Sequence, residues 1–160
     1  MGLPFATASL KEGENPWISL GVPPKSRCNI PHRMEIRVAD KKVVFIAFAI
    51  EDERQRDFLK GQSLHPRSPF EFIDMSVKEP YDSDWKDRVR TRIKRSDGVI
   101  VLVSKNSLSS SGQKWEITCA KEEKKRVRGI WAYSDDRTNL EGVNTYAWND
   151  KNISDFIDSL

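Results

Sequence analysis

The side chains on which most enzymes rely are sparse in this chain. Its two histidines, His32 and His65, and its two cysteines, Cys28 and Cys119, stand far apart, with no CxxC pair and no histidine at ligand spacing. Neither a zinc site nor a disulfide framework is expected. No serine sits in a GxSxG elbow, so acyl transfer is disfavoured. Neither GxGxxG nor GxxxxGK[ST] occurs, which excludes the glycine loops that cradle dinucleotide or triphosphate groups. What remains is carboxylate chemistry, and the best-placed carboxylate is in SSSGQKWEITCA (Ser109 to Ala120). Ser110 followed by Gln113 predicts a capping box that opens a helix. Within that helix, Cys119 and Ala120 lie three and four positions beyond Glu116, while Lys114, Lys121 and Lys125 supply the charged outer face. Glu116 therefore borders a small apolar face. A carboxylate there loses solvation and requires a partner, either a ligand or a nearby lysine or arginine.

The elements that must position this residue follow from the apolar pattern. KVVFIAFA (Lys42 to Ala49) is a continuous apolar strand signal, as in strands covered on both faces. A polar helix, Glu51 to Gln62, follows, then a second strand, PFEFIDM, with Asp74 near its end. A loop rich in acidic residues leads to Asp84 as N-cap of WKDRVRTRIKR, whose Trp85, Val89 and Ile93 form an apolar stripe. GVIVLVS (Gly98 to Ser104), the most hydrophobic strand, is expected at the centre. Beyond the Glu116 helix come VRGIWAY (Val127 to Tyr133), a polar stretch, a short edge strand at Gly142 to Trp148, and a closing helix, NISDFIDSL. Strands alternating with helices predict an α/β fold, a flavodoxin-like doubly wound five-stranded parallel sheet with helices on both faces. Ligands of such sheets bind outside the carboxyl ends of the strands. Glu51 and Asp52 supply the acidic pair of a phosphoacceptor site, but the third strand ends in Ser104 where that chemistry needs an aspartate.

Residues 1–40 hold five of the eight prolines and show no periodicity, which predicts an irregular arm or extension before a domain at 41–160; Met34 is a candidate alternative start. With 38% hydrophobic and 32% charged residues, the 160-residue chain suits one domain. A net charge of +3 is a mild bias toward anionic partners. The dense positive charge of KDRVRTRIKR is interleaved with no aromatic platform, which favours a solvated helix face over a nucleic-acid site. It could also attract a pyrophosphate or an acidic neighbouring subunit. No apolar run reaches the length of a membrane span, and no leader pattern opens the chain, so a cytoplasmic protein without membrane or nucleic-acid partners is expected.

Taken in order, KVVFIAFAIED, FEFIDMSVKEPYDSDW, SDGVIVLVSKNS and SSSGQKWEITCA resemble the TIR-like family typified by the ThsB proteins of the bacterial Thoeris anti-phage system. The resemblance covers about Lys41 to Leu160. It implies the flavodoxin-like fold and, as in many TIR domains, cleavage of NAD at the nicotinamide glycosidic bond, giving ADP-ribose or a cyclic ADP-ribose-type messenger for a separate effector. NAD would be substrate, with no cofactor and no metal. By the resemblance, Glu116, followed by Ile117, is the catalytic glutamate, and Ser111 is the serine ahead of it. Phe45, Phe48 and the loop from Asp74 would line the site, together with Asp52, Ser104, Ser111 and Trp115 as substrate-binding residues. Ala47 stands where the family's first-strand motif has serine, and Gly112 where its helix motif has tryptophan. Those two departures, with the loop through which TIR domains associate, carry an alternative: a non-catalytic interaction module that self-associates or pairs with other TIR domains.

Overall fold

The computed structural model describes residues 41–74, 76 and 84–160. The expected arm, at residues 1–40, and most of the loop after Asp74 lie outside the described residues. Five strands form one sheet in the order β2-β1-β3-β4-β5, every neighbouring pair parallel. They are β1 (Val43–Ala47), β2 (Ile73–Asp74), β3 (Gly98–Val103), β4 (Arg126–Trp131) and β5 (Thr145–Tyr146). Four helices alternate with them: α1 (Glu53–Leu64), α2 (Trp85–Arg95), α3 (Ser111–Glu122) and α4 (Asp150–Asp158). The sequence reading of an all-parallel α/β sheet holds, and β3, buried at every position, is its central strand.

Alternation along the strands divides the core into two layers. Val44, Ile46, Ile100 and Leu102 pack with Leu59 of α1 and with Ile153, Phe156 and Ile157 of α4. Phe45, Ala47, Val99, Val101 and Val103 pack with Val89 and Ile93 of α2 and with Ile117, Cys119 and Ala120 of α3. The stripe read in α2 is thus the one that seals the second layer.

The edge strands are shorter than their apolar runs predict, because local bonds compete for their backbone groups. In PFEFIDM the Ser68 hydroxyl donates to the Phe70 carbonyl (2.7 Å) and accepts from its amide (3.3 Å), so pairing with β1 is confined to Ile73 and Asp74. Phe70 and Phe72 instead stack on each other, centroids 6.4 Å apart, inside the first layer. At the other edge, the Val143 amide is taken by the Leu140 carbonyl and the Ala147 carbonyl by the Asn152 side chain. β5 can lie close to β4 only because residue 129 is glycine: a Cβ there would come within 2.5 Å of the Thr145 hydroxyl.

The chain also forms two short turns ahead of helices. Ile50–Asp52 is a 3-10 turn ahead of α1, and Lys105–Leu108 is another after β3, closed by a reciprocal capping box between Ser104 and Ser107. Asp84 precedes α2 as expected but makes no side-chain cap bond.

Candidate active site

α3 begins beyond the carboxyl end of β3, and Ser110 caps it by accepting from the Gln113 amide at 3.3 Å. Only half of the expected capping box forms. The Gln113 side chain turns inward, and its Nε2 donates to the carbonyls of Ala47 (3.2 Å) and Leu102 (2.7 Å). One fully buried amide thereby ties the helix to the ends of β1 and β3, which fixes the depth at which the next turn sits.

That next turn presents Glu116, only 5% exposed. Its Oε2 is buried without a hydrogen-bond partner, as is the Oε1 of Gln113 one turn earlier. Among the described residues Glu116 forms no ion pair, so the alternative of a lysine or arginine partner finds no support there. The lysines at 114 and 121 lie on the exposed side of the helix, as read. Burial without compensation pushes the carboxyl up to about 8, because a low-dielectric setting penalises the charged form. Two unpartnered acceptors one turn apart are an uncommon arrangement in a native core.

Asp52 is fully buried and already saturated with donors. Ser104 Oγ donates to it at 2.5 Å, Asn106 Nδ2 at 2.9 Å and Tyr133 Oη at 3.1 Å. Burial, followed by the charge of Asp52, pushes the Tyr133 phenol up, so it remains a donor. Asp136 continues the network, accepting from the Lys105 amide (2.7 Å) and from the Thr138 amide and hydroxyl (2.8 and 2.6 Å). The Thr138 hydroxyl is the main cause that holds this carboxyl below its ordinary range. Together these bonds lock the ends of β1, β3 and β4 and hold the segment from which α3 departs. Asp52 and Ser104, expected to bind substrate, make these hydrogen bonds within the protein.

The other expected residues divide in the same way. Phe45 is fully buried under α2 and α3, whereas Phe48 lies in the opposite layer, with the Arg56 guanidinium 6.0 Å from its ring. The two rings do not line one site, because neighbours offset by an odd number of residues along a strand face opposite sides. The Asp74 side chain is buried and bound by that of Arg56, which also donates to Ser76 Oγ at 2.6 Å. Trp115 packs edge-to-face against Trp85 at 4.9 Å, with Lys86 and Arg90 5.9 and 5.7 Å from its ring. Ser111 is exposed at the first position of α3, and the capping hydroxyl is that of Ser110. Ala47 is sealed in the core where a family serine was expected, and Gly112 is buried in the first turn of the helix.

Sequence reasoning missed Gln113, Asn106, Tyr133 and Arg56. The sequence pattern places Gln113 in the cap, and its inward role leaves no local pattern. The partners of Asp52 lie 52 to 81 residues away in sequence. Tyr133 alone carried a signal, as the residue at the expected end of a strand.

Among the described residues no group of histidine, cysteine, aspartate and glutamate could hold a metal ion, and no helix is long and apolar enough to cross a membrane. Cys119 is a free, buried thiol.

A comparison with curated proteins gives no match. Among solved structures, the chain is similar to the CMP N-glycosidase BcmB of Clostridium botulinum, at 18% identity and a TM-score of 0.48, over 74% of this chain and 100% of that one. The family model of the Thoeris protein ThsB TIR-like domain matches residues 45–137, more than half of the 160, a span that runs from β1 through the Asp52 network and Glu116 to the segment after β4. The chain belongs to the Thoeris ThsB TIR-like domain family.

Proposed function

We propose that this TIR-like domain consumes NAD, breaking the nicotinamide glycosidic bond with Glu116 as the catalytic carboxylate. The observation that carries the proposal is the uncompensated burial of Glu116: its Oε2 has no partner and its carboxyl is raised to about 8 by desolvation alone. Strongly perturbed carboxyls at the ligand-binding edge of a parallel sheet are functional-site candidates. Glu116 accepts hydrogen bonds from the nicotinamide ribose and, when ionised, faces the positive charge that develops at C1′ as nicotinamide leaves with the bonding electron pair. Water attacking C1′ then gives ADP-ribose, losing its proton to solvent; a nucleophile of the same ADP-ribose gives a cyclic messenger for a separate effector. Gln113 and the Asp52 network hold α3 in place and contact no reacting atom.

Incubating the purified chain with NAD, with and without Glu116→Gln, and identifying products by mass tests the proposal. Nicotinamide release is expected from the wild type alone. Equal release from both would remove Glu116 from the role.

A second reading, a non-catalytic interaction module in a non-membrane setting, is favoured by Ala47. A methyl group sealed in the core stands where the family offers a hydroxyl at the end of β1. Concentration-dependent self-association with no NAD turnover in the assembled state would favour this reading over the first.

A further inference from the structure

A cavity of about 850 Å³ opens beside α1 at the carboxyl ends of β4 and β5, and none of Gln113, Trp115 and Glu116 lines it. Its volume is within the range of small-molecule sites, which combine aromatic walls with a few polar groups. Phe58, Trp131, Tyr133 and Trp148 supply the walls, and Arg54 and Arg137 the charge. The polar edge of each hydrogen-bonding ring is already tied to the protein. Trp148 Nε1 donates to Gln62 Oε1 at 2.9 Å, Trp131 Nε1 to the Thr138 carbonyl at 3.0 Å, and Tyr133 Oη to Asp52. The walls are thus oriented before any ligand arrives, and what they leave to the cavity is aromatic surface. Phe58 is 62% exposed although it contacts Trp148, with ring centroids 5.8 Å apart. An aromatic side chain left this open on a helix is apolar surface that a ligand would cover.

Arg54 and Arg137 form no ion pair among the described residues; the Arg137 guanidinium donates from one Nη to the Asp136 carbonyl at 2.9 Å and lies 4.7 Å from the Trp131 ring centre, where stacking pre-orients it. The carboxylate that lines the cavity, Asp57, is bound to Arg56 at 2.7 Å. Planar guanidinium forks recognise phosphate oxygens in bidentate fashion.

From the juxtaposition of four aromatic rings, three of them pinned by hydrogen bonds, with two arginines that no carboxylate pairs, we infer that this cavity is a second ligand site, which takes a planar heteroaromatic ring joined to a diphosphate, that is, a nucleoside diphosphate. The inference concerns binding only and is independent of any activity at Glu116.

Titrating the full chain with ADP, adenosine and inorganic pyrophosphate, followed by calorimetry and by quenching of tryptophan fluorescence, tests it. ADP is expected to bind one-to-one, with adenosine and pyrophosphate each at least about tenfold weaker, because each offers half of the recognition. Arg54→Gln, Arg137→Gln and Phe58→Ser are changes at exposed positions that preserve the fold, checked by circular dichroism, and each is expected to weaken ADP about tenfold. Absence of ADP binding, or unchanged ADP affinity in all three variants, would overturn the inference.

Discussion

At the scale of a single residue, the raised carboxyl of Glu116 fixes how rate must depend on pH if the proposed chemistry holds. With burial raising it to about 8, roughly one molecule in ten is ionised at pH 7. The ionised form is the one that can face a developing cation, so kcat/KM for nicotinamide release is expected to rise about tenfold per pH unit up to about 8 and then level. Bound NAD brings its pyridinium charge toward the carboxylate, and an adjacent cation favours ionisation. The limb in kcat should therefore lie at lower pH than the limb in kcat/KM. Initial rates of nicotinamide release across pH 5 to 9 check both, and coincident limbs would exclude the charge coupling. Glu116→Gln should lose on the order of 10²- to 10³-fold in kcat and show neither limb. This residue was legible in sequence because helical spacing alone placed it beside Cys119 and Ala120. Its lack of a partner was not legible, since that depends on every surface packed around it.

At the scale of elements, sequence identified what apolar patterning controls and missed what polar side chains tie together across long separations. β1 and β3 announced themselves as runs that tolerate no polar residue, and the α2 stripe matched the layer it seals. β2 and β5 fell short because Ser68, Leu140 and Asn152 divert their backbone groups, a competition that residue counts do not weigh. The junctions are held by Gln113 and Asp52. Gln113→Met keeps the side-chain length but frees the Ala47 and Leu102 carbonyls, and should lower stability by about 2 kcal/mol in urea unfolding. Asp52→Ala removes an acceptor from three donors and should cost about 3 kcal/mol, Tyr133→Phe about 1 kcal/mol. Because these two residues share one bond, the double variant should be about 1 kcal/mol less destabilised than the sum of the single changes. Strict additivity in that cycle would show that the bond contributes nothing.

At the scale of the whole molecule, the alternation of apolar strands and polar helices was enough to read a parallel sheet covered on both faces, because only such a sheet buries strands of that composition throughout. The same burial sets a stability cost that the entire fold carries. A carboxyl that titrates higher when folded than when unfolded binds its proton more tightly in the folded state, so its ionisation favours unfolding. Stability is therefore unaffected by this group below the ordinary value of 4.5 and declines as pH rises from there to about 8. At about 1.4 kcal/mol per pH unit, the cost reaches about 3 kcal/mol at pH 7. Glu116→Gln removes the titration while keeping the shape, so it should match the wild type near pH 4 and exceed it by about 3 kcal/mol at pH 7. Urea unfolding of both proteins at pH 4, 5.5, 7 and 8 measures that difference directly. A gap that widens with pH, in the same variant that loses nicotinamide release, would identify Glu116 as a residue retained for chemistry at the expense of stability; a gap independent of pH would mean that the carboxyl is not desolvated in solution.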